Sequence, residues 1–205
     1  MNQVSSPALS VQPIIPQCLS INMLLPGDII CTASNEAASR SIRALTHSRF
    51  SHAILYRGSE LAVDAVPGDG VTVDLLTKKL RGCNDIVAFR HRTASRAQCE
   101  TAAQWAASQA GKPYDKLGAV RVGLDPEART GSLRFTGQGI VVIATVEAIG
   151  ALASDGHDTS FFCSELVLRA FEIAGAPVVN RPPHLTGPGI FLNSSTLVYL
   201  GELAA

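Results

Sequence analysis

The sequence predicts an α+β domain in which a small antiparallel sheet packs against helices. Short apolar segments separated by glycine-rich turns fill the chain between about residues 28 and 90, and this spacing is typical of strands. Segments with apolar residues three and four positions apart flank that region, which indicates helices. The chain has 205 residues, 46% of them hydrophobic, so it is long and apolar enough for one domain with a substantial core.

The predicted strands form the middle of the domain. Pro26-Gly27-Asp28 is a turn signal, and a strand follows directly. Two later strands are separated only by a glycine turn, and so short a separation implies an antiparallel hairpin. The predicted strands cover residues 28–32, 48–58, 61–66, 71–75, 86–90 and 197–200.

Capping residues mark two helices. Ser34 is expected to cap a helix that runs to about Leu45. Ser95 and Gln98 form a capping-box pair at the start of a second helix, which Gly111 is expected to stop.

Cys163 stands at the start of a third predicted helix, with Ser160 as its expected N-cap and Gly175 just beyond its end. Unpaired backbone N–H groups and the helix macrodipole favour negative charge in the first turn, and therefore favour a thiolate. The alternative is that Cys163 is a small core residue, because free cysteine is often buried. The core-facing stripe of this helix comprises Leu166, Val167, Ala170, Phe171 and Ala174.

The hairpin offers a base and an orienting group for such a thiol. A thiol hydrolase needs a nucleophile, a base, and a residue that orients the base. His52 lies on a predicted strand with Ile54 and Tyr56 on the same side. Asp64 lies among apolar residues of the adjoining strand, where an unpaired carboxylate is costly and an imidazole would be its partner. The alternatives are a half-buried histidine bonded to another neighbour and an edge-strand aspartate that faces water.

Charge and cysteine content argue against other classes of protein. The formal net charge is zero, which disfavours a nucleic-acid surface built on basic excess. The five cysteines include no CxxC pair, so neither a zinc site nor a complete disulfide framework is predicted. His47 and His52 have no third ligand nearby in the sequence. We therefore expect no metal and no other cofactor.

Two segments bear on where the protein is located in the cell. Residues 1–22 lack the basic and apolar regions of a secretory signal peptide, and they are predicted to form an extended or flexible arm. The apolar segment 139–153 would span about 22 Å as a helix, short of a hydrocarbon core of about 30 Å. Glu147 near its middle also disfavours the membrane. We expect a buried helix there and no integral membrane segment.

Six segments, in chain order, resemble the successive motifs of one family: Pro26–Ile30, Phe50–Ile54, Val63–Val71, Gly111–Asp115, Phe162–Val167 and Leu185–Phe191. The family is the circularly permuted, papain-like branch of the NlpC-type cysteine hydrolases, which includes YiiX-like proteins and relatives of lecithin:retinol acyltransferase. The histidine precedes the cysteine here, which is the reverse of the order in papain and matches the permuted order.

The resemblance covers about residues 24–200. It implies a permuted papain-like fold with the catalytic cysteine at a helix N-terminus. Residues 23–205 would form a single hydrolase domain, with an insertion at about 116–158 relative to the shortest members of the family.

The resemblance also implies roles for four residues. Cys163 would be the nucleophile, His52 the general base and acid, and Asp64 the orienting third residue. Tyr114 would line the substrate site, with a plain packing role as the alternative.

The leading hypothesis is a cysteine amidase or endopeptidase that cuts amide bonds in peptidoglycan stem peptides. Synthesis in the cytoplasm without a signal peptide would then imply an antibacterial effector, with a secretion-machine carrier and an immunity protein as partners. One alternative is a lipid acyl hydrolase or acyltransferase, for which the segment 139–153 would help to form an acyl groove. Another is a catalytically silent binding module that keeps a papain-like cleft.

Overall fold

A computed structural model describes residues 18–124 and 159–203. Seven strands form one sheet in the order β1-β7-β6-β2-β3-β4-β5. Neighbouring strands are antiparallel, except that β1 runs parallel to β7. The strands are β1 (Cys18–Leu19), β2 (Ile29–Ser34), β3 (His52–Gly58), β4 (Leu61–Val66), β5 (Gly70–Leu75), β6 (Cys83–His91) and β7 (Leu197–Leu203).

Six α-helices and two short 3-10 helices accompany the sheet within the described part of the chain. The helices are α1 (Ala37–Thr46), α2 (Leu76–Lys79), α3 (Arg96–Ser108), α4 (Lys116–Leu124), α5 (Cys163–Ile173) and α6 (Ile190–Asn193), with 3-10 helices at Ile21–Met23 and Pro183–Leu185. The predicted α+β class is therefore confirmed. No described helix has the length and apolar character that a membrane crossing requires.

The sheet buries both of its faces. Alternate residues of β2 point to opposite faces, so that Ile29 packs in one hydrophobic cluster and Ile30 in the other. Helices α3 and α5 cover the first face, where Leu166 is fully buried. The short helix α2 covers the second face with Leu76, which is also fully buried. The sheet thus separates α5 from α2, and the candidate site draws on both.

Local signals located some helix ends correctly. The capping box of Ser95 and Gln98 is present at the start of α3. Gly175 follows α5 with a positive φ of 68°, which suits glycine as a helix stop.

The predicted N-caps Ser34 and Ser160 are both wrong, because in each place the chain stays extended beyond the predicted start of the helix. Ser34 is the last residue of β2, where it pairs with Cys83 of β6, and α1 begins only at Ala37. Helix α5 begins at Cys163 with Phe162 as its N-cap residue, and the chain before it is still engaged in a bridge at Phe161.

Other predictions missed elements or lie outside the described residues. Helix α2 and strand β1 were not predicted, and β7 extends to Leu203 rather than residue 200. Residues 1–17 of the predicted arm and the apolar segment 139–153 lie outside the described residues. The domain boundaries drawn from the sequence stay a prediction.

Candidate active site

Cys163 is the first residue of α5, and only 5% of its surface is exposed. Leu166 and Val167, one turn further along, are fully buried and fix the helix against the sheet. The first-turn N–H groups of a helix have no intrahelical partner, and the macrodipole places partial positive charge beside them. The sulfur therefore lies in a position that favours negative charge on it or on a group bound next to it.

The segment before Cys163 is held by a short parallel bridge between Tyr114 and Phe161. Phe161 donates its N–H to the Pro113 carbonyl at 3.2 Å, and Asp115 donates its N–H to the Phe161 carbonyl at 3.0 Å. Burial, and then the nearby Cys163 and Asp115, raise the pKa of Tyr114 well above its usual value. Tyr114 therefore keeps its hydroxyl proton at ordinary pH.

His52 is the first residue of β3, and 22% of its side chain is exposed. Its Nε2 lies 2.9 Å from Oδ2 of Asp64. The Nδ1 nitrogen is left free by this bond. Burial lowers the pKa of His52, but the interactions with Asp64 and with the nearby Cys163 outweigh burial and raise the pKa to about 10. The imidazolium is thus held by its bond to the Asp64 carboxylate and by its closeness to Cys163.

Asp64 lies in the middle of β4, and its side chain is only 4% exposed. Besides His52, its carboxylate accepts from the Thr72 hydroxyl at 3.1 Å and from the Lys79 ammonium at 2.5 Å, both through Oδ1. Burial raises the pKa of Asp64, but the bond to His52 and the charges of His52 and Lys79 lower it overall. The structure therefore contradicts the alternative of an edge-strand aspartate that faces water, because β4 lies between β3 and β5.

The structure brings His52 and Asp64 into hydrogen-bond contact and places Cys163 near the imidazole, while Tyr114 is bridged to Phe161, two residues before Cys163. Their catalytic roles stay a prediction.

Sequence reasoning missed Lys79. Its side chain is only 6% exposed, although lysine is usually at the surface. A signal was present in the sequence. Lys79 follows Leu76 by three positions and precedes Leu80 by one, so a single helical turn puts all three on one face. A lysine that shares a face with two leucines needs a buried partner, and here the partner is Asp64.

A cleft of about 460 Å³ lies beside His52 and Asp64. Its wall combines apolar surface with polar and charged side chains of both signs, from residues that include Thr32, Ser39, Ser51, Glu36, Asp69, Arg81 and Tyr114. A larger depression of about 1400 Å³ lies elsewhere, between α5 and residues 177–196, and contains none of the predicted site residues. The cleft beside His52 is therefore the one that we associate with the candidate site.

Metal ligands are not grouped in residues 18–124 and 159–203, where no three His, Cys, Asp or Glu side chains are arranged to hold an ion. The Lys79 ammonium beside Asp64 also disfavours a second cation at that carboxylate, because like charges repel. The arrangement fits acid–base and thiol chemistry, and we derive no step through a metal.

Comparisons with known proteins find one family and one fold that this chain resembles. Residues 23–118 match the model of a family described as permuted papain-like amidase enzymes, YaeF/YiiX, C92 family. This range contains His52, Asp64, Lys79 and Tyr114, and it ends before Cys163.

The fold is similar to the crystal structure of metalloprotein yiiX from Escherichia coli O157:H7. The TM-score is 0.57 at 19% sequence identity, and the alignment covers 87% of this chain and 97% of that one. Comparison with the curated proteins finds no match.

Proposed function

We propose that this chain, a cysteine hydrolase of the permuted papain-like amidase type, cleaves amide bonds through a triad of Cys163, His52 and Asp64. The observation that carries the proposal is the imidazole of His52, which is hydrogen-bonded to Asp64 through Nε2 and lies close enough to Cys163 for that residue to raise its pKa. A base that lies between a nucleophile and an orienting carboxylate is the arrangement that defines a catalytic triad.

In the first half of the reaction, the Cys163 thiolate attacks the carbonyl carbon of the substrate amide. A carbon–sulfur bond forms and the carbonyl electron pair moves to oxygen. Backbone N–H groups at the start of α5 can donate to that oxyanion, because no helical carbonyl occupies them. The His52 imidazolium then gives its proton to the amide nitrogen, the carbon–nitrogen bond breaks, and a thioester to Cys163 remains.

In the second half, the neutral His52 takes a proton from water, and the resulting hydroxide attacks the thioester carbon. The carbon–sulfur bond breaks, the carboxylic acid product leaves, and the thiolate and imidazolium are restored together. Asp64 keeps the ring oriented throughout, because its carboxylate accepts a hydrogen bond from the Nε2–H group and leaves Nδ1 free to exchange a proton with the reacting groups.

The substrate that we propose is the stem peptide of peptidoglycan. The family description as amidases supports a peptide bond as the target. The charged side chains of both signs that line the cleft, Glu36, Asp69 and Arg81, also suit a charged peptide better than an acyl chain. The acyl-groove alternative depended on residues 139–153, which lie outside the described residues.

Purified protein incubated with peptidoglycan, followed by mass spectrometry of the soluble fragments, tests the proposal. We expect new peptide fragments from the parent protein and at least about a thousandfold slower release from Cys163→Ala, because the acyl-enzyme cannot form. The matched control is Cys18→Ala, since Cys18 is an exposed thiol in β1 and should leave the rate unchanged. Identical product profiles for the parent and Cys163→Ala would sink the proposal.

A parallel incubation with phospholipid and acyl esters separates the alternatives. Release of fatty acid that depends on Cys163 would favour the lipid acyl hydrolase. Failure to turn over any of these substrates would favour the silent binding module.

We also propose that the enzyme acts as an effector in another cell's periplasm, with a secretion-machine carrier and an immunity protein. This proposal rests on the location of the proposed substrate outside the cytoplasm. Expression in a bacterial host with and without an added export signal tests it, and we expect lysis only in the exported form. Lysis that is independent of export would contradict it.

A further inference from the structure

Lys79 of α2 reaches Asp64 on the side opposite His52. The ammonium bonds Oδ1 of the carboxylate at 2.5 Å, while His52 Nε2 bonds Oδ2 at 2.9 Å. The Lys79 side chain is 6% exposed and that of Asp64 is 4% exposed. Two cations therefore share one buried carboxylate, one at each oxygen.

The ammonium is fully engaged in this position. Its other acceptors are the Thr72 hydroxyl at 2.8 Å and the Thr72 carbonyl at 3.3 Å, so its three N–H donors have three acceptors. The Thr72 hydroxyl in turn donates to Asp64, which closes a ring of three residues. A buried ammonium is costly unless it is paired and hydrogen-bonded, and this one is both.

The pair has an electrostatic consequence for His52. A lone carboxylate would hold the imidazolium with a full negative charge, in a site where burial weakens screening. Lys79 cancels part of that charge while it leaves Oδ2 free to accept from Nε2. An acid that must release its proton to a leaving group works best when it does not hold the proton too tightly.

We propose that Lys79 is a positioning residue that acts through Asp64, offsetting the carboxylate charge so that the His52 imidazolium releases its proton more readily than it would beside a lone carboxylate. The inference rests on the proposed roles of His52 and Asp64. Cys163 and Asp64 act on His52 from α5 and β4, and Cys163 and Asp115 both act on Tyr114. Lys78, the neighbouring lysine of α2, is 61% exposed and pairs with Asp74 at the surface.

A titration of His52 by nuclear magnetic resonance tests the inference without any substrate. The measurement uses the full chain with Cys163→Ala, with Lys79→Met, Lys79→Arg or Lys78→Met added. We expect Lys79→Met to raise the pKa of His52 by about one unit, the size typical when a nearby like charge is removed. Lys79→Arg should restore the parent value, and Lys78→Met should leave it unchanged.

The sign of the shift separates this role from a purely structural one. If Lys79 only held Asp64 in place, its loss would loosen the bond from Asp64 to His52 and lower the pKa of His52. An unchanged or lowered pKa in folded Lys79→Met therefore overturns the inference. Because no substrate is present, failure to cleave peptidoglycan counts against the proposed function and leaves this inference standing.

A second comparison keeps the test decisive should Lys79→Met not fold. Asp64→Asn leaves the buried ammonium without its counter-charge, and Asp64→Asn/Lys79→Met removes both charges. We expect the double variant to unfold at a higher denaturant concentration than Asp64→Asn alone. A double variant that is no more stable than Asp64→Asn would show that the two charges are not coupled, which also overturns the inference.

Discussion

At the scale of single residues, the state of His52 depends on its two partners rather than on its burial. Burial alone would favour the neutral ring, whereas the interactions with Asp64 and Cys163 raise the pKa to about 10. The folded protein therefore holds the imidazolium over a pH range in which an unfolded chain, with a histidine pKa of about 6.5, has already lost it.

This difference makes the stability of the protein depend on pH. The contribution of His52 is fully present below about pH 6.5 and is lost as the pH rises through about 10, because the folded-state pKa is the higher one. We expect the free energy of unfolding to fall by up to about 5 kcal/mol across this range, measured by denaturant titration at several pH values.

His52→Gln is the control for this loss. The free energy of unfolding of this variant should depend less on pH, because the group that titrates is gone. The buried thiol of Cys31, whose pKa is raised by burial and by Cys163, contributes a loss at high pH in both proteins. If the free energy of unfolding falls equally steeply with pH in the parent and in His52→Gln, the attribution of this loss to His52 is wrong.

The predictability of the site also differs from residue to residue. His52 and Asp64 could be proposed because strand alternation and an acid among apolar neighbours are local patterns. For Lys79 the local pattern indicates only burial beside Leu76 and Leu80, because its partner Asp64 is fifteen residues away on β4 and no local pattern identifies that partner. The apolar stripe of α5 correctly predicted that Cys163 lies at the start of a helix. The predicted N-cap at Ser160 was wrong, because Phe161 pairs with the distant residue Tyr114 and the helix begins only after this bridge.

At the scale of elements, the start of β5 holds the segment that leads to Tyr114. Val71 donates its N–H to the Lys112 carbonyl at 2.8 Å, and Gly111 donates its N–H to the Val71 carbonyl at 2.9 Å. Gly70 makes this close approach possible. Its φ is 73°, and a Cβ there would lie 2.2 Å from the Lys112 carbonyl oxygen.

We expect Gly70→Ala to destabilise the protein more than Gly68→Ala. Gly68 lies in the same turn with a φ of 101°, but a Cβ there would meet nothing within 4 Å. Backbone strain should cost both variants about 1–2 kcal/mol, and the clash should cost Gly70→Ala at least about 1 kcal/mol more. Chemical denaturation followed by circular dichroism measures the free energy of unfolding of both variants. Equal losses of stability would show that the Lys112 carbonyl moves away from the added Cβ at no energetic cost.

At the scale of the whole molecule, β7 lies near the end of the described chain and pairs within the sheet with β1, which lies near its start. It lies between β1 and β6, and its end residues Leu197 and Leu203 are buried. The sequence predicted a short final strand but not its position, because pairings between distant segments leave no local pattern. The pairing of β1 with β7 could therefore not be predicted from the sequence and is seen only in the structure.

Removal of residues 197–205 should abolish cooperative folding. It would expose the edge of β6, with the buried residues Val87 and Phe89, and leave β1 without its partner strand. We expect insoluble protein, or loss of a sigmoidal thermal unfolding curve. Removal of residues 204–205 alone is the control and should leave the curve unchanged. Soluble, cooperatively folded protein without β7 would contradict this account of the sheet.

The bridge between Tyr114 and Phe161 also bears on how such enzymes can diversify. Its two hydrogen bonds clamp both ends of the chain between residues 115 and 161, immediately before the nucleophile. These bonds fix Phe161 against residues 113–115, so the position of Cys163 is set by a pairing that is local in space. Insertions and deletions between residues 125 and 158 are therefore expected to leave Cys163 in place, whether they arise over evolutionary time or by design.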